Sequence, residues 1–264
     1  MLKIENVFKT FNPGTVNEKK ALRGLNLHLK PGEFVTVIGG NGAGKSTMLN
    51  CVAGAYSVES GKILIDGVDV THLPEYKRAR FIGRVFQDPM MGTAATMQIE
   101  ENLALASRRG KPRTLKIGIT RAEREAYMER LKILDLGLEN RMTAKVGLLS
   151  GGQRLALTLL MATLQRPKLL LLDEHTAALD PKTAAKVLEA TQKIVEADGL
   201  TTMMITHNMR DAIAYGNRLI MRYNGHIVVD VSGEEKKNLT VEQLLNLFSQ
   251  ASGSDEVDDK LVLS

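Results

Sequence analysis

Four short, mainly apolar runs stand out along the chain, and each one ends at polar or glycine-rich positions. They lie at 34–38, 82–86, 169–172 and 203–205. Mainly apolar runs of this length are typical of strands that are buried on both faces, as in a parallel sheet. The pattern therefore predicts a parallel sheet at the centre of the protein.

Segments with helical spacing follow two of these runs. One covers 45–52 and is followed by Gly54, and the other covers 181–198 and is followed by Gly199. A glycine directly after a periodic segment is typical of a helix C-terminus. Because strands alternate with helices, the pattern predicts an α/β fold with a doubly wound core.

The middle of the chain has a different pattern. Residues 89–160 are rich in helix formers and contain no convincing strand. We interpret this stretch as a helical subdomain inserted into the α/β core.

Near the C-terminus, apolar segments at 218–221 and 226–231 flank Asn224-Gly225. An Asn-Gly pair between two strand-like segments predicts a β-hairpin. A short helix is expected over 241–248. The polar residues 249–264 predict a disordered tail.

The composition is that of an ordinary globular protein, with 44% hydrophobic and 25% charged residues, which argues against disordered and fibrous classes. Cys51 is the only cysteine, so an internal disulfide and a cysteine-rich zinc site are excluded. No apolar run approaches the roughly 18 residues of a membrane helix. The N-terminal residues lack the apolar core of a signal peptide. We therefore expect a soluble, cytoplasmic chain.

The net charge of +5 is compatible with nucleic acid, anionic lipid or a phosphate ligand, and it distinguishes none of them. Basic residues cluster at 108–124. Acidic residues cluster in the tail, at Asp255, Glu256, Asp258 and Asp259.

A glycine-rich segment that follows the first apolar run matches the phosphate-loop pattern G-x-x-x-x-G-K-[ST]. In such a loop the backbone N–H groups and the helix N-terminus attract phosphate oxygens. Lys45 would reach the β- and γ-phosphates, and the Ser46 hydroxyl would ligate Mg²⁺. The alternative is an ordinary strand–turn–helix joint with a solvated lysine. The candidate nucleotide-binding residues are Gly39, Gly40, Asn41, Gly42, Ala43, Gly44, Lys45, Ser46 and Thr47.

Two adjacent carboxylates end the third apolar run, at the sheet edge where the phosphate loop is expected. Asp173 would hold Mg²⁺ through water, and Glu174 would orient and deprotonate the attacking water. The alternative is a solvated turn after a strand.

Two further polar residues follow predicted strands. His207 can hydrogen-bond the γ-phosphate and the water held by Glu174, and Gln87 can reach Mg²⁺ or that water. Taken alone, a structural histidine and a turn glutamine are the ordinary interpretations. Convergence of four strand ends at one edge favours a catalytic role for both.

These motifs, together with Leu149-Ser150-Gly151-Gly152-Gln153 and Leu179-Asp180, resemble an ATP-binding cassette (ABC) ATPase in order and spacing. The LSGGQ element is the most specific part of the resemblance, which covers residues 1–248. The resemblance implies a P-loop NTPase core of the ABC type, with an N-terminal antiparallel β region and a helical subdomain at about 89–160. It also implies hydrolysis of ATP with Mg²⁺, coupled to transport.

In this family each ATP lies between the phosphate loop of one subunit and the LSGGQ element of the other. The resemblance thus implies a homodimer or a pair of cassettes, with Ser150, Gly151, Gly152, Gln153 and Asp180 as nucleotide contacts. On physical grounds, Ser150 and two glycines before a predicted helix at 154–164 make a second anion-binding helix start. The plainer interpretations are that Ser150 and Asp180 serve as helix N-caps.

Phe11 matches the aromatic residue that stacks on adenine in the family, with Phe8 as the competing candidate and a plain core role as the alternative. The sequence departs from the family at His175, where proline is usual, and at Ala177, where serine is usual. Neither change removes a catalytic group, so an active ATPase is expected.

The resemblance implies a peripheral subunit at the cytoplasmic face of the membrane, with separate permease subunits and an extracytoplasmic substrate-binding protein. We expect a bacterial importer for amino acids or related small solutes. The alternatives are a lipoprotein-release or efflux exporter, a soluble ABC ATPase acting on nucleic acid or ribosomes, and a regulator that does not hydrolyse. No nucleic-acid partner is expected.

Three features have both a plain and a functional interpretation. Cys51 is expected to be a packed hydrophobe rather than a redox switch. Met90, Met91 and Met97 are core filler or an adaptable groove for a permease helix. The basic run 108–124 is a solvated face or a contact with lipid headgroups or acidic permease loops, to which Arg108, Arg109, Lys111 and Arg113 would contribute.

Overall fold

The computed structural model describes residues 1–88, 90–111 and 118–252. In these residues the strands are β1 (Leu2–Phe11), β2 (Lys19–Leu29), β3 (Phe34–Ile38), β4 (Ser60–Ile65), β5 (Val68–Asp69), β6 (Ile82–Val85), β7 (Leu169–Asp173), β8 (Thr201–Ile205), β9 (Arg218–Tyr223) and β10 (His226–Ser232). The α-helices are α1 (Lys45–Ala53), α2 (Glu75–Arg78), α3 (Ile99–Ser107), α4 (Arg121–Lys132), α5 (Gly151–Thr163), α6 (Pro181–Asp198), α7 (Met209–Ala214), α8 (Gly233–Lys237) and α9 (Val241–Ser252). Short 3₁₀ turns occur at Leu138–Asn140 and Val146–Leu148.

The larger sheet contains all four predicted core strands. Its order is β10-β9-β3-β8-β7-β6, and β9, β3, β8, β7 and β6 run parallel to one another. β10 pairs antiparallel with β9 through the predicted hairpin, in which Asn224 and Gly225 both have positive φ. The α/β core with a parallel sheet is thereby confirmed.

The unbroken apolar run in β7 is explained by the burial of both faces of this strand. Leu170 and Leu172 belong to a hydrophobic cluster that includes residues of α5 and α6. Leu169 and Leu171 belong to a second cluster that includes α1 and the smaller sheet. Because successive side chains of a strand point to opposite faces and both faces are covered here, the four positions before Asp173 are all apolar.

The smaller sheet forms the expected N-terminal antiparallel β region, with the order β2-β1-β4-β5. The register of β1 against β2 pairs Phe11 with Lys19. Both side chains therefore lie at the same end of this sheet, and that end borders the phosphate loop.

The described residues between 90 and 160 form helices and turns and no strand, apart from an isolated bridge between Gln98 and Lys145. α5 begins at Gly151, earlier than the predicted start at residue 154, because Ser150 caps it. The division of the chain into a core and a helical subdomain stays a prediction.

The C-terminal helix α9 continues to Ser252, beyond the predicted end at residue 248. The remainder of the predicted tail, 253–264, lies outside the described residues. Within the part of the chain that the structure describes, no helix has the length and apolar character needed to cross a bilayer.

Candidate functional site

The phosphate loop lies between β3 and α1 at the carboxyl edge of the parallel sheet. Its first and last glycines are required by close backbone contacts as well as by positive φ angles of 148° and 87°. A Cβ at Gly39 would lie 2.3 Å from the Arg222 carbonyl oxygen, and a Cβ at Gly44 would lie 2.3 Å from the Ala21 carbonyl oxygen. Only glycine fits at either position. The loop is therefore fixed between β2 and β9, with Gly44 as the N-cap residue of α1.

Lys45 is the first residue of α1, and its side chain is buried inside the loop. Its Nζ atom donates hydrogen bonds to the carbonyl oxygens of Gly39 at 2.7 Å and Gly40 at 3.4 Å. Burial lowers the pKa of Lys45, and the nearby carboxylates Glu174 and Asp173 act in the opposite direction. The ammonium group thus lies beneath the curled backbone, where it can meet an anion bound in the loop.

The two predicted carboxylates flank the phosphate loop at the end of β7. Ser46 Oγ donates a hydrogen bond of 3.5 Å to Asp173 Oδ1. Burial raises the pKa of Asp173, Arg84 acts in the opposite direction, and the neighbouring Glu174 raises the pKa further. A hydroxyl and a carboxylate that are candidate metal ligands therefore lie side by side.

Glu174 begins the turn after β7 and has a left-handed backbone with φ of 42°. Its backbone N–H donates to the Ile205 carbonyl oxygen at 3.0 Å, which ties it to the end of β8. His207 follows β8, and its Nδ1 atom lies 4.0 Å from Glu174 Oε2. Lys45 Nζ lies 4.0 Å from the other oxygen of Glu174. The structure thus brings together Lys45, Glu174 and His207 from three separate strand ends.

Arg84, in β6, belongs to this cluster and was missed by the sequence analysis. Its guanidinium donates to Asn50 Oδ1 at 2.6 Å and lies 3.9 Å from Asp173 Oδ2. Burial lowers the pKa of Arg84. The signal in the sequence that could have identified Arg84 was a charged residue inside a predicted buried strand.

A cavity of about 410 Å³ opens above the phosphate loop. The residues that line it are Phe11, Lys19, Ala21, Asn41, Gly42, Ala43, Gly44, Lys45, Ser46, Thr47 and Glu174. The Phe11 ring contacts Tyr56 edge to face, with 5.4 Å between the ring centroids. Phe8 is 38% exposed and does not line this cavity among the described residues. Of the two aromatic candidates, the cavity therefore favours Phe11.

Gln87 lies beyond the end of β6 in a bend and is exposed. It does not line the cavity that the described residues form. The structure therefore brings Gln87 to the same sheet edge without placing it in the cavity with Lys45 and Glu174.

The LSGGQ element forms the N-terminus of α5. Ser150 Oγ accepts a hydrogen bond from the Gln153 N–H at 3.3 Å, and the Gln153 side chain accepts one from the Ser150 N–H at 3.2 Å. A Cβ at Gly152 would lie 2.2 Å from Thr183 Cγ2, so the glycine lets α5 pack closely against α6. Asp180 caps α6 by accepting from the Thr183 N–H at 3.1 Å. The N-cap interpretations are thus confirmed for Ser150 and Asp180.

Neither the LSGGQ residues nor Asp180 line the cavity in this single chain, among the residues that the structure describes. Ser150, Gly151 and Asp180 are exposed. They form a second surface with an exposed helix N-terminus, separate from the cavity over the phosphate loop.

The two departures from the family pattern have different environments. His175 is buried, its Nε2 atom lies 3.5 Å from Thr191 Oγ1, and burial lowers its pKa to about 4. The imidazole is therefore a neutral packed side chain at pH 7. Ala177 is exposed in the turn before Asp180.

Cys51 and the three methionines differ in their burial. Cys51 is buried, which raises the pKa of its thiol to about 11, so the expectation of a packed hydrophobe is confirmed. Met90 and Met91 are exposed and Met97 is half-buried. The exposure of Met90 and Met91 does not support a packing role in the core for these two residues.

Within the basic run, Arg108 Nη2 lies 3.1 Å from Glu123 Oε1, and Arg109 Nη2 donates a hydrogen bond of 3.2 Å to the Ala162 carbonyl oxygen. These two arginines are therefore engaged in contacts within the chain. Arg113 lies outside the described residues.

The chain is similar in sequence to known proteins. The family described as ABC transporter matches residues 22–177. A tyrosine transport ATP-binding protein of Clostridioides difficile (strain R20291) is 46% identical over 252 residues, which cover 95% of this chain and 100% of that protein. A phosphonates import ATP-binding protein of Alcaligenes faecalis is 33% identical, over 87% of this chain and 82% of that protein.

Solved structures resemble the whole fold. A dimeric ATP-binding cassette in a post-hydrolysis state, bound to ADP and Pi, superimposes with a TM-score of 0.74 at 32% identity, over 88% of this chain and 98% of that one. The ADP conformation of another ATP-binding cassette gives a TM-score of 0.76 at 27% identity, over 94% and 98% of the two chains.

Proposed function

Because the chain belongs to the ABC transporter family of ATP-binding cassettes, we propose that it is the ATP-hydrolysing motor subunit of a bacterial importer. The observation that carries this proposal is the convergence of Lys45, Glu174 and His207 beside a glycine-rich phosphate loop. The importer assignment and the class of solute, an amino acid or a related small molecule, rest on the similarity to the tyrosine transport and phosphonates import proteins.

The phosphate loop and Lys45 bind the triphosphate in this proposal. The backbone N–H groups at the start of α1 are unpaired within the helix and attract anions, which the helix dipole reinforces. Lys45 transfers its hydrogen bonds from the Gly39 and Gly40 carbonyls to phosphate oxygens. The size and lining of the cavity support a nucleotide whose base stacks against Phe11.

Glu174 acts as the general base for the attacking water. It lines the cavity, with one carboxylate oxygen 4.0 Å from Lys45 Nζ and the other 4.0 Å from His207 Nδ1. His207 orients the water and the γ-phosphate as ATP is hydrolysed to ADP and phosphate.

The residues beside the loop fit Mg²⁺. Ser46 Oγ and Asp173 Oδ1 are hard oxygen ligands that lie 3.5 Å apart. The half-buried Asp173 carboxylate has its nearest cation among the described residues, Arg84, at 3.9 Å. Mg²⁺ usually takes one or two protein oxygens and completes its shell with water and phosphate. When bound, the ion would offset negative charge on the transferred phosphoryl group.

Gln87 is proposed as a further ligand of Mg²⁺ or of the attacking water. Its position at the carboxyl edge of the sheet, directly after β6, supports this role.

Two cassettes pair so that Ser150 and its neighbours in one subunit meet the ATP bound by the other. The exposure of Ser150, Gly151 and Asp180, away from the cavity of their own chain, supports this arrangement. The dimeric form of a similar cassette supports it independently.

The proposed partners are separate permease subunits, which place this chain at the cytoplasmic face of the membrane, and an extracytoplasmic substrate-binding protein. The test is reconstitution in proteoliposomes with candidate permease and binding-protein subunits from the same organism. ATP hydrolysis that rises with liganded binding protein and drives solute uptake supports the proposal. Solute or lipid export, or hydrolysis that responds to nucleic acid in the absence of permease, contradicts it.

A further inference from the structure

Arg222 lies in β9 behind the phosphate loop, and its side chain is wholly buried. One terminal nitrogen donates to the Gly44 carbonyl oxygen at 2.6 Å, and the other donates to the Gly225 carbonyl oxygen at 3.0 Å. The guanidinium therefore joins the N-cap residue of α1 to the turn between β9 and β10.

This buried cation has no carboxylate within ion-pair distance in the part of the chain that the structure describes. Its Nε atom is buried without a hydrogen-bond partner. Burial lowers the pKa of Arg222 to about 10, so the group is still charged at pH 7. A buried, unpaired charge is costly unless another group compensates it.

The Arg222 guanidinium contacts the phosphate loop directly, through the Gly44 carbonyl oxygen. Arg222 lies close enough to Lys45 for its positive charge to contribute to the lowered pKa of that lysine, after burial itself. Two cations thus lie beneath one loop, and the bound triphosphate would place several negative charges above it.

We propose that Arg222 is a positioning residue of the nucleotide site, which fixes the Gly44 carbonyl at the start of α1 and supplies positive charge that the phosphates of ATP neutralise. This inference rests on the proposed nucleotide site. It assigns to Arg222 a share of the binding of ATP and no part in the attack of water.

Lys236 offers a matched control because it is a second buried cation whose hydrogen bonds within the described residues go to backbone carbonyls. Its Nζ atom bonds the carbonyl oxygens of Ile213, Tyr215 and Gly216. Gly216 contacts Phe34 at the start of β3, whereas the phosphate loop follows the end of β3. Lys236 is therefore at the opposite edge of the sheet.

The test measures the affinity for ATP by calorimetry, and KM and kcat for hydrolysis, in the full chain. R222M should weaken ATP binding about ten-fold and raise KM with kcat nearly unchanged, because the lost interaction acts equally on bound ATP and on the transition state. R222K, which keeps a charge, should recover most of the affinity. R222Q, which keeps a donor without a charge, should bind ATP as poorly as R222M.

K236M should lower the unfolding temperature and leave the affinity for ATP unchanged in the folded protein. Wild-type affinity in R222M or R222Q, or equal losses in R222K and R222Q, would overturn the proposal. If R222M does not fold, the comparison of R222K with R222Q decides. K45A separates the two levels of inference, since wild-type ATP affinity in K45A would contradict the nucleotide site itself.

Discussion

The Nδ1 atom of His207 lies 4.0 Å from the Oε2 atom of Glu174, although the two residues follow different strands. The parallel pairing of β7 with β8 sets this distance, because Asp173 lies opposite Ile205 in the register. Glu174 and His207 are therefore positioned by the sheet itself rather than by a long loop.

Replacement of His207 by alanine is expected to lower kcat about 100-fold with little change in KM, because the imidazole acts on the water and the γ-phosphate rather than on ATP binding. Steady-state hydrolysis measures both constants. H226A, at an exposed histidine of β10, should behave as wild type. A large rise in KM with normal kcat for H207A would contradict the assigned role.

Replacement of Lys45 by alanine is expected to weaken the binding of ATP itself, because its ammonium group is the cation inside the loop that is released to the phosphates. Calorimetric titration with ATP should show an affinity loss of at least about ten-fold. K168A removes a partly exposed lysine paired with Asp66 and should bind ATP normally. Normal affinity in K45A would count against the phosphate-loop assignment.

Replacement of Asp173 by asparagine is expected to stabilise the fold while hydrolysis is lost. Burial raises the pKa of Asp173, so the charged carboxylate destabilises the folded state, and this penalty grows as the pH rises through the folded-state pKa. The unfolding temperature of D173N should exceed that of wild type by about 2 °C at pH 7. The difference should shrink towards pH 4. A lower unfolding temperature at pH 7 would contradict this account.

The second surface can be tested with two substitutions at Ser150 that both retain a good helix N-cap. S150N and S150D should keep the unfolding temperature of wild type, because each side chain can accept the Gln153 N–H. S150D should prevent ATP-induced dimers in an E174Q background, since its carboxylate would face the partner's phosphates, and S150N should still permit them. Size-exclusion chromatography in the presence of ATP measures the fraction of dimer for each variant. Equal dimerisation of S150D and S150N would contradict the proposed arrangement.

The residues with local signals were predictable from the sequence. β3, β7 and β8 are mainly apolar because both faces are buried, and the loop after β3 carries glycines because its backbone approaches β2 and β9. The N-cap of α5 could be predicted from a serine before two glycines. The predicted start of the helix, at residue 154, was three residues later than the observed start at Gly151.

Residues whose role depends on distant parts of the chain were not predictable. Arg222 contacts Gly44, which is 178 positions away, and Arg84 contacts Asn50 and Asp173 across the sheet. Their only local signal is a charge within a buried strand. The partners that justify such a charge appear only when the strand order brings them together.

Glu174 is proposed as the general base of an ATP-hydrolysing cassette. The most direct measurement compares ATP binding and ATP turnover in E174Q, with E189Q on an exposed position of α6 as the control. E174Q is expected to bind ATP as wild type does, to form a stable dimer with ATP, and to hydrolyse it at least about 100-fold more slowly, because the water then lacks its general base. Undiminished hydrolysis in E174Q would contradict this role.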